Sequence, residues 1–527
     1  MQSNNPQIKK SFRNPRNKDF LRRIEVVSAI IIIFLMSIFI GSNLMIGFVF
    51  PLFLSVGFIV FLISFFFPRA GFYAIIFLTF VWERFFTLAP VVVGRQEYKI
   101  YSLDILFIGI LLGTGWHIFN SYIRNEKHFR VFLNKLKQHS KIIKLFVAFT
   151  VLIGLHFLGD ILFQSEINKS VAFSSFKYYA FYPLFFLLAI ILFDKKEDIK
   201  ILFKFALAGG LAIIFFIIYG IINHGGLWTE FTPMSTGGIR ILAFTHAFYL
   251  SMVWLGLFVF TIKQKNTKQK YYVWLGIFAF GILGSMMRHL WLGLGFSLIV
   301  IILFFFKKDN RKFLVERIGF YTPFFIAGLA IFSYIVISFP YSSWHTLGVE
   351  IWQAMSERFA SLGQIKGDSS FSWRQLAWQE AIKQYLHHPL YGLGFGKSIY
   401  LETMNYHDFV EVRNIHNSWL VLFIQAGLFI SGIFLLFLIE IAKRIFKSRD
   451  INFDWLEITT IILIINYIFI ALFQPYLETN MLGIFFWILL GLAVNLFREK
   501  RKRLHKLKRS TLAIPKLTMG RIIDNRK

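Results

Sequence analysis

Apolar residues fill the chain in blocks of about 17 to 24 positions, and short polar segments separate the blocks. A block of that length spans the ~30 Å hydrocarbon core of a bilayer when it folds as an α-helix. Runs such as "AIIIIFLMSIFI" are apolar on every face, unlike the alternating strands of a membrane β-barrel. The pattern therefore predicts an all-α polytopic membrane protein with about 12–14 transmembrane helices.

The blocks predict fourteen transmembrane helices, at 24–40, 46–66, 70–89, 102–120, 142–163, 178–193, 199–222, 241–262, 271–286, 289–306, 318–337, 416–442, 455–473 and 481–497. Fourteen is an even number, so both termini are expected on the same side of the membrane. The predicted domains are a basic cytoplasmic arm (1–23), helices 1–11 (24–337), a large external loop (338–415), helices 12–14 (416–497) and a basic cytoplasmic tail (498–527).

The external loop is the one long polar interruption, and its sequence predicts structure. "WHTLGVEIWQAMSERFASL" and "SWRQLAWQEAIKQYLHH" both place apolar residues at helical spacing, which predicts two amphipathic helices packed on the membrane face. Pro389 and the three glycines of "LYGLGFGKS" then predict a turn. A glycine within the next membrane helix, Gly427, is expected to serve helix packing.

Composition and charge narrow the class of protein further. Hydrophobic residues make up 56% of the chain and charged residues only 16%, which excludes an ordinary soluble protein. The net charge of +29 comes mainly from the arm, the tail and alternate breaks, which hold 44 of the 57 Lys and Arg residues. This is the positive-inside pattern, so the charge indicates topology and attraction to anionic lipid rather than a nucleic-acid partner.

Three arginines lie at the predicted outer face, against this charge bias: Arg240 in "GGIRILAFTHAF", Arg288 in "GSMMRHLWLGLGF" and Arg374 in "FSWRQLAWQEAI". Each has a structural interpretation, as a snorkelling or solvated side chain. Alternatively, they bind a diphosphate through bidentate hydrogen bonds without a metal.

The pair His416-Asn417 in "RNIHNSW" opens predicted helix 12. The histidine is either an interfacial residue or a base that accepts a proton from a sugar hydroxyl. A zinc site needs three or four His, Asp or Glu ligands, whereas His387 and His388 are a lone adjacent pair, and the chain has no cysteine. We therefore predict no metal and no cofactor. A lipid-linked sugar diphosphate would need both the cations and the base.

The order of these motifs resembles a known family. "HHPLYGLGFGKS", followed by "RNIHNSWLVLFIQAGLFISG", is similar to the signature region of the O-antigen ligase/polymerase superfamily of bacterial membrane glycosyltransferases. "SMMRHLW" resembles the family's Ser-x-x-Arg motif and "SWRQLAW" its arginine-then-tryptophan motif. The resemblance spans residues 236 to 440. It implies a multi-pass protein of the bacterial cytoplasmic membrane that transfers an undecaprenyl-diphosphate-linked glycan, without a metal and with inversion, to a lipid-anchored glycan or another acceptor.

The resemblance also assigns roles by position. His416 matches the family's proposed catalytic histidine, and Arg288 and Arg374 match the two arginines thought to hold the pyrophosphate. A further set, expected to bind substrate, consists of Arg240, Asn417, Gly394 and Gly396.

Three alternatives stay open at this point. A repeat-unit polymerase of the same family would differ from a ligase only in its acceptor. A lipid-linked oligosaccharide flippase would share the size and the cations, and Asp104 and Asp160 are its candidate acidic helix residues. A small-anion permease would tolerate loss of His416.

Overall fold

The computed structural model describes residues 15–47, 49–82, 91–93, 96–98, 101–124, 127–164, 167–222, 242–264, 269–305, 349, 353, 369–403, 406–447 and 453–512. The helices before the external loop are α1 (Pro15–Ile46), α2 (Phe50–Phe66), α3 (Pro68–Val81), α4 (Ser102–Ile123), α5 (Lys127–Gln138), α6 (Ser140–Phe163), α7 (Lys169–Phe176), α8 (Leu184–Leu192), α9 (Lys196–Ile222), α10 (Phe244–Lys263), α11 (Lys270–Gly284) and α12 (Arg288–Val300). The later helices are α13 (Ser369–Tyr385), α14 (Ser418–Phe446), α15 (Trp455–Ile470) and α16 (Asn480–Leu512). π-helical turns occur at Lys177–Phe181 and Ile301–Phe305, and a 3₁₀ turn at Val412–Asn414.

The described helices confirm the all-α polytopic membrane fold. Seven are long and apolar enough to cross a membrane, and six further apolar helices have 10–17 residues. Each of these thirteen overlaps a span predicted from the sequence. The predicted helix at 318–337 lies outside the described residues, as does most of the first amphipathic loop helix. The second amphipathic helix is α13.

Ion pairs join the helix ends that strict alternation places on one side. Arg22 of α1 contacts Asp198 of α9 at 2.8 Å, and Lys141 of α6 contacts Glu440 of α14 at 2.7 Å. These four residues lie at helix ends next to the polar segments that are rich in Lys and Arg. These ion pairs therefore bring basic ends of distant helices together, and the side of the membrane on which they lie stays a prediction.

Helix α14 is broken inside the membrane. Gly427 has φ 75° and ψ 173°, about 13 Å along the helix axis from Ser418. A Cβ at Gly427 would lie 2.2 Å from the carbonyl oxygen of Leu390. The expectation that Gly427 serves helix packing is therefore wrong, because its positive φ and missing side chain let another segment enter the helix.

That segment comprises residues 389–396 and is called here the glycine-rich insert. Its backbone replaces hydrogen bonds that the break removes from α14: Leu428 N donates to Pro389 O (2.9 Å), Leu393 N to Ile424 O (2.7 Å) and Gly394 N to Gln425 O (3.1 Å). Backbone groups at membrane depth need such partners because no water is available there. Part of the predicted external loop thus packs within the length of a membrane-spanning helix.

The chain after the insert forms a hairpin that the sequence interpretation did not include. Strands β3 (Ser398–Thr403) and β4 (Tyr406–Glu411) pair antiparallel, with Ser398 opposite Glu411. A short hairpin, β1 (Val91–Val93) and β2 (Gln96–Tyr98), lies earlier in the chain. Ile399 and Leu401 are buried against α13, in a small core beside the main one. This core fixes α13 and the start of α14 relative to each other.

Candidate functional site

The backbone at His416 is held from both sides in a strained conformation. His416 has φ +59°, a left-handed value that is uncommon for a residue other than glycine. The carbonyl of Ile415 accepts a hydrogen bond from Trp378 Nε1 (2.6 Å), and Ser418 N donates to Ala471 O (2.9 Å). Strain of this kind persists only where neighbours impose it, and it concentrates at functional sites.

The His416 side chain is half-buried between two elements. Its Nδ1 lies 2.6 Å from Gln474 Oε1, in the loop between α15 and α16. The Trp373 ring meets the imidazole edge-on, with ring centroids 5.5 Å apart. Burial and the nearby charge of Arg374 lower the pKa of His416 to about 4, against the opposing effect of the Gln474 hydrogen bond. The imidazole is therefore neutral near pH 7, as a base must be.

The structure brings Arg374 to His416. Arg374 follows Trp373 on α13, and its positive charge acts directly on the pKa of the imidazole. The small core that packs α13 onto β3 and α14 sets this proximity. A cation and a neutral histidine therefore share one site.

The residue after Arg288 contacts the 471–479 loop, and a contact of Arg288 itself with substrate stays a prediction. Arg288 is the first residue of α12, and His289 Nε2, next in the chain, lies 2.7 Å from the hydroxyl of Tyr476. Tyr476 is two residues after Gln474, the partner of His416. The start of α12 and the His416 side chain therefore both contact this short loop.

Of the other predicted site residues, Arg240 lies outside the part of the chain that the structure describes, and Asn417 has a structural contact. Asn417 caps α14, because its side-chain oxygen accepts a hydrogen bond from Leu420 N (3.0 Å). Its contact with substrate stays a prediction.

Gly394 and Gly396 are buried and both have positive φ. A Cβ at Gly394 would lie 2.6 Å from Asp160 Oδ1, and one at Gly396 would lie 2.5 Å from the carbonyl oxygen of Asn168. Close backbone approach to α6 and to the start of α7 explains why these positions are glycine. A contact of either glycine with substrate stays a prediction.

Asp160 on α6 anchors the glycine-rich insert. Its carboxylate accepts hydrogen bonds from the Tyr391 hydroxyl (2.8 Å) and from Phe395 N (2.7 Å). Gln164 Nε2 donates to the same group at 2.8 Å. This acidic residue, a candidate for transport in the sequence interpretation, thus holds the insert against the membrane helices.

Asp104, the second acidic residue considered for transport, also has structural partners. Lys177 Nζ lies 2.5 Å from one carboxylate oxygen, and the Tyr182 hydroxyl donates to the other at 2.7 Å. Lys177 begins a π-helical turn, and such turns are frequent at functional sites. The same turn carries Tyr179, whose hydroxyl donates to Glu478.

Sequence reasoning missed the residues of the 471–479 loop. Glu478 accepts hydrogen bonds from Ser418 Oγ (2.5 Å) and from Tyr179, and burial raises its pKa to about 7. Ser418 Oγ also accepts from Leu477 N (3.0 Å). The one signal in the sequence is the presence of Gln474 and Glu478 in a connector only a few residues long between apolar helices.

Among the described residues, no group of three or more His, Cys, Asp or Glu side chains is arranged to hold a metal ion.

Residues 271–437 match a protein family described as O-antigen ligase. The match runs from α11 into α14 and includes Arg288, Arg374 and His416. No curated protein matches the chain.

Proposed function

We propose, because residues 271–437 match the O-antigen ligase family, that the chain transfers or polymerises a polyprenyl-diphosphate-linked glycan on the outer face of the bacterial cytoplasmic membrane. The observation that carries the proposal is the shared site of Arg374 and a neutral His416. The family match over residues 271–437 supports the coarser conclusion, a membrane protein that processes glycans. The pairing of Arg374 with a neutral His416 supports the proposed transfer from a diphosphate-linked donor.

In the proposed reaction, His416 takes the proton of the acceptor hydroxyl as that oxygen attacks the anomeric carbon of the donor sugar. The bond from this carbon to the diphosphate oxygen breaks, and its electron pair leaves on the diphosphate. Attack opposite the leaving group inverts the anomeric centre. Arg374 and Arg288 stabilise the charge that develops on the diphosphate, and water later removes the proton from His416.

The charge of Arg374 favours an order of events in which the donor binds before the acceptor loses its proton. While the diphosphate is absent, Arg374 weakens the basicity of His416. A bound diphosphate neutralises that charge and raises the basicity of the imidazole toward its ordinary value. Donor binding would therefore prepare the base before the acceptor hydroxyl reaches it. The proposed transfer needs no metal, so a chelator should leave it unchanged.

The acceptor separates two versions of the function. A ligase transfers the glycan to a lipid-anchored glycan or another acceptor, and a polymerase transfers it to a second lipid-linked repeat. Deletion of the gene distinguishes them through the lipid-linked intermediates. Full-length polymer on the carrier indicates a ligase, single repeats indicate a polymerase, and neither on the outer face indicates a flippase.

The direct test uses the purified protein with a polyprenyl-diphosphate glycan donor. His416→Ala should lower the transfer rate by about 10²–10⁴-fold, the usual contribution of general acid–base catalysis. His388→Ala is the matched control, because His388 is exposed on the same loop. Transfer at the wild-type rate by folded His416→Ala protein would refute the proposed base.

A further inference from the structure

The hydrogen bond between His416 and Gln474 determines which ring nitrogen carries the proton. Nδ1 lies 2.6 Å from the side-chain oxygen of Gln474. An amide oxygen only accepts, so Nδ1 must donate. A neutral imidazole has one N–H, and the other nitrogen, Nε2, then has a free lone pair. A base that takes a proton through Nε2 needs this tautomer.

The loop that carries Gln474 is fastened to the residue two places after His416. Ser418 N donates to Ala471 O (2.9 Å), and Ser418 Oγ lies 3.3 Å from the carbonyl oxygen of Gln474. Tyr476 N donates to the same carbonyl at 2.9 Å. The amide and the imidazole are therefore positioned by one local network, which limits their relative movement.

The buried carboxyl of Glu478 also belongs to this network. It accepts from Ser418 Oγ at 2.5 Å, and Leu477 N donates to the same hydroxyl at 3.0 Å. On another side of the imidazole, the Trp373 ring restricts rotation about the side-chain bonds of His416. Both the tautomer and the orientation of the ring are thus set by neighbours that come from α13 and from the 471–479 loop.

We propose that Gln474 is the positioning residue of His416, holding Nδ1–H so that Nε2 faces the acceptor hydroxyl. This proposal rests on the proposed function. A neutral amide holds the tautomer without adding a charge, whereas a carboxylate would also stabilise the protonated imidazole and raise its pKa. Gln474 lies outside the region that matches the family, since that region ends at residue 437.

Two variants test the proposal. Gln474→Met keeps the length of the side chain but removes the amide oxygen, and kcat should fall about tenfold or more while the KM for the donor changes little. Gln474→Glu restores an oxygen acceptor and adds a negative charge. It should transfer faster than Gln474→Met, and it should move the acid limb of kcat/KM upward by about one pH unit or more from its wild-type position.

The control variant is Gln375→Glu, which adds the same charge at an exposed position of α13. It should leave both kcat and the acid limb in place. A merely structural role for Gln474 would lower the amount of folded protein in Gln474→Met while leaving kcat per folded molecule unchanged.

Wild-type kcat in folded Gln474→Met, or an unmoved acid limb in folded Gln474→Glu, would overturn the positioning role. These results would leave the proposed function intact as long as the wild-type protein transfers the glycan. Absence of transfer by the folded wild-type protein would instead remove the proposed function itself, so the two failures are distinguishable.

Discussion

Replacing Gly427 with alanine tests whether the broken helix and its insert form one structural unit. The residue has φ 75° and ψ 173°, a combination that is almost restricted to glycine. An added Cβ would meet Leu390 O at 2.2 Å and the carbonyl carbon of Tyr391 at 2.6 Å. Both contacts are with backbone atoms, so a side-chain rotation cannot relieve them.

The size of the effect follows from two contributions. A side chain in this backbone region costs about 1–3 kcal/mol. Displacement of the insert also threatens its three backbone hydrogen bonds to α14, each with a net contribution of about 0.5–1.5 kcal/mol. Together they predict a loss of roughly 3–7 kcal/mol in the free energy of unfolding, a large part of the stability of a typical protein.

The assay is unfolding of the purified protein in mixed detergent micelles by titration with a denaturing detergent, followed by circular dichroism. Gly432→Ala is the matched control, because Gly432 lies on the same helix and an added Cβ there meets nothing within 4 Å. Alanine favours a helix over glycine, so this control should be neutral or up to about 1 kcal/mol more stable. Equal stability of Gly427→Ala and Gly432→Ala would refute the interpretation of the break.

Two further predictions concern pH. Arg374→Gln removes a charge that lowers the pKa of His416, so the acid limb of kcat/KM should move to higher pH while the KM for the donor rises; an unmoved limb would contradict the proposed shared site. The pKa of Glu478 is raised from 4.5 to about 7, so its contribution to stability is complete below about pH 4.5 and is lost as the pH rises through about 7. In melting-temperature series from pH 5 to 9, Glu478→Gln should show a weaker decline than the wild type, and parallel declines would contradict this assignment.

The sequence was sufficient for features that depend on local pattern. Continuous apolar blocks predicted the membrane helices, and helical spacing of apolar residues predicted α13. The charge of Arg374 reaches His416 because α13 and the start of α14 flank one short folded segment, and the expected convergence of both residues with Arg288 on one substrate site stays a prediction.

Other features depend on contacts between distant segments, which no local pattern shows. Gln474 lies in a connector of ordinary appearance, and its importance follows only from the packing of that connector on His416. A glycine in a membrane helix more often permits close helix packing, so the break at Gly427 was not foreseen. Asp160 was interpreted as a membrane-embedded acid before its bonds to the glycine-rich insert were known.

The position of the 471–479 loop late in the chain also determines when the proposed site can be completed during protein synthesis. A ribosome makes the arginines, the insert and His416 first, and it makes Gln474 and Glu478 only after α15. A nascent chain that ends before this loop has the cations and the histidine, but nothing from the loop fixes the imidazole or fastens Ser418. The proposed site would therefore be incomplete in newly made protein until the hairpin of α15 and α16 has been made and packed.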